Sequence, residues 1–395
     1  MVRDSERVAR IQRALDASRL DAFVLTLPSN VRLASGYWPV IGNTIAIATR
    51  DGVIGLLAPE DEVHLAGNSW ADFVQMFSTG SLDAVTDPVD AVKPHVGELA
   101  STAGVRARAR VGYEGASFDP SAYASGFAYG ASLPALLSSA LPQAEILEVT
   151  ETIDQLRSTL TEHELIDLRT ACRVACTAFE CTAARLRPGM REYEVAQMLR
   201  THLREPAHPR ADGYVYCMSG VNASRAYASF QETTDRAIRE GDTVLVHCNS
   251  CCGGLWTDVT RTFVVGRPSR EVKSRLDAIF SARHDALDAI AAGVRASTVD
   301  GAARNAMARA GFESEFRHST GHGVGFAAIN HNARPRLHPH SSDVLETGMV
   351  CNIEPAAYVP DAFGIRHCDM VAVGAHGPEL LTPFHTSVQD LQIGS

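Results

Sequence analysis

The chain has 395 residues, of which 45% are hydrophobic and 21% charged, with a formal net charge of −10. That length exceeds one typical core and implies two domains, while the acidic balance argues against nucleic acid or a membrane surface as partner. No apolar run approaches the roughly 18–20 residues of a membrane span.

The opening, MVRDSERVARIQRAL, is charged and places Val8, Ile11 and Leu15 at helical spacing, so Ser5–Ser18 reads as an amphipathic helix and not as a secretory signal. Nine cysteines without such a signal imply reduced thiols and a cytoplasmic protein. Asp21–Leu27 reads as a short buried strand punctuated by Pro28–Ser29–Asn30, and further strands follow at Thr44–Ala48 and Val53–Leu57. Strand and helix signals alternate as far as Glu145–Val149, which defines residues 1–155 as an α/β domain.

The pattern changes at Leu156–Thr161. Thr161 followed by Glu164 is a capping box for a helix carrying Leu165, Leu168, Cys172, Ala175 and Phe179. Cys172 and Cys176 share that helix, but their alanine and leucine neighbours mark them as core filler. Helical spacing returns at Tyr193–Leu203, Leu276–Ala291 and Gly301–Ala310, between β-branched runs. Residues 156–395 therefore read as an α+β domain.

Thr243–Val246 and Thr260–Val265 predict neighbouring strands, with His247 and Asp258 set across their connection. Cys248 and Cys251 form a CxxC, but on a strand and hairpin, which is not a redox context. Further on stand His322 in TGHGVGF, Glu354 in VCNIEP and His367–Cys368–Asp369 in GIRHCDM. Ionisable groups in such apolar or glycine-rich settings are costly to bury unless they face one another or a ligand, so these segments are expected to build one site.

In order, LRPGM, SGVN, GDTVLV, TDVTRTF, HSTGHGVGF, LETGMVCNIEP and GIRHCD resemble the landmarks of the pita-bread family of creatinase, aminopeptidase P and prolidase. The resemblance covers about residues 161–381, and the first half resembles the smaller creatinase-type N-terminal domain. It implies a pita-bread α+β C-terminal domain, a homodimer and a dinuclear metal site built from two aspartates, a histidine and two glutamates. Carried over by position, Asp258, His322 and Glu354 stand. His247 occupies the first aspartate's place and Cys368 the last glutamate's. Tyr227 holds the place of one substrate-contacting histidine, and His331 is the nearest candidate for a second, because an isoleucine stands at the usual spacing.

Only two carboxylates remain in that set, so one divalent ion at most is expected, zinc or manganese, held from among His247, Asp258, His322, Glu354 and Cys368. Two readings stand beside it: acid–base chemistry without metal, with His322, His247 and Glu354 catalytic, and a Cys368 nucleophile activated by His367 or His247. Arg366, His367 and Asp369 read as supports behind the site, Arg366 and Asp369 as an ion pair or hydrogen-bond prop. Catalytic roles are expected for His322, Glu354, His247, Tyr227 and His331, with Tyr227 or Arg225 steadying a carbonyl or carboxylate. The leading expectation is hydrolysis of a C–N bond in a small polar nitrogen compound, an amide, cyclic amidine or ureido group, as the likeness to creatinase and ectoine hydrolase implies. A metal-dependent Xaa-Pro peptidase, a lyase on the same scaffold and a catalytically inactive binding module are the alternatives.

Overall fold

The computed structural model describes residues 2–40, 43–80, 82–83, 85–115, 132–204, 210–227, 232–327 and 330–394. The isoleucine at 329 lies outside them. The chain divides into two compact units, Met1–Arg157 and Ser158–Ser395.

In the first unit a six-stranded mixed sheet runs, edge to edge, through Phe73–Phe77, Ile54–Pro59, Ile45–Thr49, Ala22–Leu25, Arg110–Tyr113 and Glu145–Glu148. The central strands are buried along their whole length, which explains their continuous apolar runs in place of an in–out alternation. Helices Pro88–Thr102 and Ser132–Ala140 contribute Val92, Val96, Leu99, Leu136 and Leu137 to a core shared with Val24, Ile47 and Val111. The helix Ser5–Ser18 forms as its spacing predicts. Pro28 does more than end a strand: it opens the helix Pro28–Ser35 from its first turn, where a missing N–H costs nothing.

The second unit builds the site. Thr161 and Glu164 make the reciprocal capping box that starts helix Glu162–Ala183, and Glu192–Leu203, Arg270–Asp288 and Ala296–Arg309 follow. The strand Thr243–Cys252 pairs antiparallel with Asp212–Ser219 on one side and Val259–Val265 on the other. It runs longer than its β-branched core Thr243–Val246, because Asp212–Ser219 carries Cys248, Asn249 and Ser250 in the ladder while Val259 pairs with Cys248 from the other side. The short strands Leu255–Trp256 and Gln392–Ile393 complete that sheet, a second sheet holds Val350–Ile353, Asp369–Gly374 and Gly377–Leu380, and Ala356–Val359 forms a hairpin with Phe363–Arg366.

Register aligns the site. Tyr216 faces His247, His247 faces Thr260, and Thr260 bridges to Cys368. Directly opposed residues project from the same face of a sheet, so these four side chains stand in a row. Among the described residues, no helix is long and apolar enough to cross a membrane.

Candidate functional site

A cavity of about 530 Å³ in the second unit is lined by His247, Asp258, His322, His331, Glu354 and Arg366, together with Tyr227, His318 and Asn249. The structure thus brings together segments that lie more than 100 residues apart in sequence. His322 follows Gly321 and precedes Gly323, and a Cβ on either glycine would collide with the carbonyl oxygen of Asn352 or Arg334. The glycines let the segment press against its neighbours and hold His322 in place. No phosphate cradle is needed to explain them.

The hydrogen bonds define the state of His322. Its Nδ1 lies 3.0 Å from the Gly323 carbonyl oxygen, which can only accept, so Nδ1 carries the proton. Nε2 carries no proton: it accepts from Asn352 Nδ2 at 3.4 Å and lies 3.6 Å from Asp258 Oδ2. That is the tautomer a metal ligand requires. The His331 ring stands edge-on to it, 5.1 Å between centroids, and is itself exposed.

Two sets of donors converge: His322, His331 and Glu354, and Asp258, Glu354 and Cys368. The ligand atoms of each set lie within 4.8 Å of one another. Glu354 belongs to both, so they describe one region with a carboxylate at its centre. Burial, then the neighbouring Asp258, pushes the Glu354 carboxyl up to about 8. Asp258 is held below its ordinary value: burial opposes ionisation, but His247, His322 and Arg366 outweigh it. The Cys368 thiol is pushed well up, chiefly by burial, and donates to the backbone oxygen of Asp258 at 3.2 Å. A thiol so placed is a ligand in reserve and a poor nucleophile.

His247 belongs to neither set, although its Nδ1 lies 3.9 Å from Asp258 Oδ1. Its Nδ1 accepts from Arg366 Nη2 at 3.1 Å and lies 2.8 Å from Thr260 Oγ1, so it is bare, and Nε2–H donates to Asn249 Oδ1 at 2.7 Å. Burial lowers its pKa to about 4. The ligand role expected for His247 is at odds with this arrangement, because both ring nitrogens are already engaged.

Other expectations need revision too. Asp369 does not pair with Arg366. It is buried with Arg261, 2.6 Å away, and Arg283, and lies 3.4 Å from His367 Nε2. His367 packs on Phe280 instead of addressing the Cys368 sulfur. Arg225 is exposed, donates to Asn222 and does not line the cavity. Tyr227 does line it, 40% exposed, with its ring 5.4 Å from that of Tyr358 and beneath the Arg317 guanidinium. Sequence reading missed Tyr216, His318, Asn249 and Tyr358. Strand alternation from His247 marks Asn249 and His318 opens the HSTGHGVGF landmark, but nothing in the sequence marks the two tyrosines.

The description "Metallopeptidase family M24" fits residues 167–375, more than half of the chain, and "Creatinase/Prolidase N-terminal domain" fits residues 7–159. The chain therefore belongs to metallopeptidase family M24, in the creatinase, aminopeptidase P and prolidase group of hydrolases, with the pita-bread fold that its landmarks imply. It is 26% identical over 381 residues to an Xaa-Pro dipeptidase of Pyrococcus horikoshii, covering 96% of this chain and 97% of that one. An uncharacterized peptidase, YqhT, of Bacillus subtilis is 29% identical over 69% of this chain and 72% of its own length. An Xaa-Pro dipeptidase from Bacillus anthracis shares the fold, with a TM-score of 0.80 at 22% identity over 98% of this chain and 99% of that one.

Proposed function

We propose that the protein hydrolyses the C–N amide bond of a short peptide or N-acyl amino acid, with one divalent ion held by Asp258, His322 and Glu354 and completed by Cys368 or His331. The observation that carries this reading is the convergence of those donors on Glu354 inside the cavity. Two carboxylates, an imidazole and a thiol suit zinc or a similar borderline ion. The near-full-length relative bears the name Xaa-Pro dipeptidase, which supports a peptide over the cyclic amidine or ureido substrate first expected. A second ion is not part of the proposal. Two dications need more anionic oxygen than Asp258 and Glu354 supply, and the Arg366 guanidinium already brings positive charge to the same cavity.

A bound ion of this kind supplies Lewis acidity, polarising a carbonyl and making water a stronger acid. The chain's own groups do the rest. His322 presents an unprotonated Nε2 because Gly323 holds its other proton. His331, exposed at the cavity lining, is placed to carry a proton to the leaving nitrogen. Tyr227 offers a hydroxyl to the developing oxyanion. A second reading, acid–base hydrolysis without metal, rests on Glu354, whose raised pKa would keep a proton to donate near neutrality.

The test is amine release from a panel of dipeptides, Xaa-Pro included, and N-acetyl amino acids, with zinc or manganese added and after chelation. Turnover that chelation abolishes and His322→Ala removes supports the proposal. Turnover indifferent to chelation supports the metal-free reading, and no turnover on any member contradicts both.

A further inference from the structure

Arg366 is 4% exposed, yet it lines the cavity and forms no ion pair with any carboxylate among the described residues. Its Nε donates to Thr260 Oγ1 at 3.1 Å and Nη1 to the Tyr358 hydroxyl at 3.4 Å, while Nη2 donates to the Tyr216 hydroxyl and to His247 Nδ1. All four acceptors are uncharged. A guanidinium carries five N–H groups, so one, on Nη1, has no acceptor among the described residues. The neighbouring hydroxyls are already oriented. His318 Nδ1 faces the Ser319 carbonyl oxygen and so keeps its proton, which makes Nε2 the acceptor for Tyr358 O–H at 3.0 Å. Tyr358 therefore turns its oxygen to Arg366 and cannot donate elsewhere.

A buried cation whose hydrogen-bond acceptors are all neutral is an incomplete arrangement, and an anion entering from the cavity completes it. The other arginine of the lining, Arg336, is already neutralised by Asp343 at 2.6 Å. Asp258 and Glu354 line the same cavity, but theirs is the charge that a divalent ion offsets. One imidazole separates the two poles: His247 Nδ1 lies 3.1 Å from Arg366 Nη2 and 3.9 Å from Asp258 Oδ1.

We infer that Arg366 is an anion subsite that binds the substrate's carboxylate, and that the short span across His247 selects substrates whose carboxylate sits within a few bonds of the amide. The substrate class is then a dipeptide or an N-acyl amino acid, not a longer peptide or an amide without acid. This rests on the hydrolase reading above, but its test does not depend on turnover. The probe is 4-oxopentanoate, a ketone analogue of N-acetylglycine with no amide to cleave, compared with its neutral methyl ester by isothermal titration against the full-length protein.

The acid should bind about tenfold more tightly than the ester or better, the effect of one charge-assisted pairing. Arg366→Met should erase the preference. His247→Asp should do the same while leaving the arginine in place, because a carboxylate would then stand beside the guanidinium. That variant decides the matter if Arg366→Met does not fold. Equal affinity for acid and ester, no measurable binding of the acid, or a preference that survives His247→Asp would overturn the inference. A protein that prefers the acid but cleaves no peptide keeps the subsite and loses the proposed reaction. One that cleaves peptides but ignores the probe's charge does the reverse.

Discussion

Glu192 offers the sharpest stability test, because its buried carboxylate fastens two points of chain on either side of Tyr227. Oε1 accepts from the Ser219 amide at 2.6 Å and hydroxyl at 2.7 Å, and Oε2 from the Thr234 amide at 3.0 Å and hydroxyl at 2.7 Å. The Asn222 amide donates to both oxygens. In Glu192→Ala the hydroxyls can turn elsewhere, but two backbone N–H groups lose their acceptors, at about 1–3 kcal/mol each. The lost packing of a fully buried side chain adds to that, offset in part because the carboxylate no longer has to be desolvated. The net loss is expected at about 3–5 kcal/mol. Glu192→Gln keeps the shape but turns an NH₂ toward donors, for about 1–3 kcal/mol. Urea unfolding of the full chain measures both, and hydrogen exchange at the Ser219 and Thr234 amides locates the effect. A loss below about 1 kcal/mol for the alanine variant, or unchanged exchange at those amides, would refute the reasoning.

Two further outcomes follow from burial and charge. Cys368 is fully buried and hydrogen-bonded, so iodoacetamide at pH 8 should leave it unmodified in the folded protein while the half-buried Cys181 and Cys252 react; rapid labelling of Cys368 would revive the nucleophile reading. The Glu379 carboxyl is held below its ordinary 4.5 chiefly by the Arg169 hydrogen bonds, so the pair's contribution is fully present above that value and disappears as pH falls through the lower, folded pKa. Arg169→Ala should therefore flatten the fall in urea midpoint as the pH drops below about 4.5, so that the gap between the two proteins narrows toward acid pH. A parallel offset at every pH would contradict it.

Much of this molecule is legible along the chain because local chemistry and tertiary role coincide. Thr161 and Glu164 announce a helix start and form one, and the β-branched runs around Asp258 pair as their spacing implies. Asp258, His322 and Glu354 stand out because each is an ionisable group in a setting that should exclude it, and they do meet. Tyr216 and Tyr358 escape notice for the opposite reason. An aromatic residue in a buried strand looks like core, and only register shows that its hydroxyl faces a guanidinium. The isolation of Arg366 is harder still to read, since it depends on Asp369 turning to Arg261 and Arg283. His247 looks like a ligand until Thr260, Asn249 and Arg366 are seen to occupy its nitrogens.

The central claim is a single metal site centred on Glu354, and metal content tests it most directly. Elemental mass spectrometry on protein purified without tag-borne metal should find about one equivalent of zinc or a similar divalent ion. The ion should be lost in Asp258→Ala and His322→Ala and kept in His247→Ala, whose ring nitrogens are engaged elsewhere. Two equivalents, or loss of the ion in His247→Ala with the other residues intact, would contradict the account.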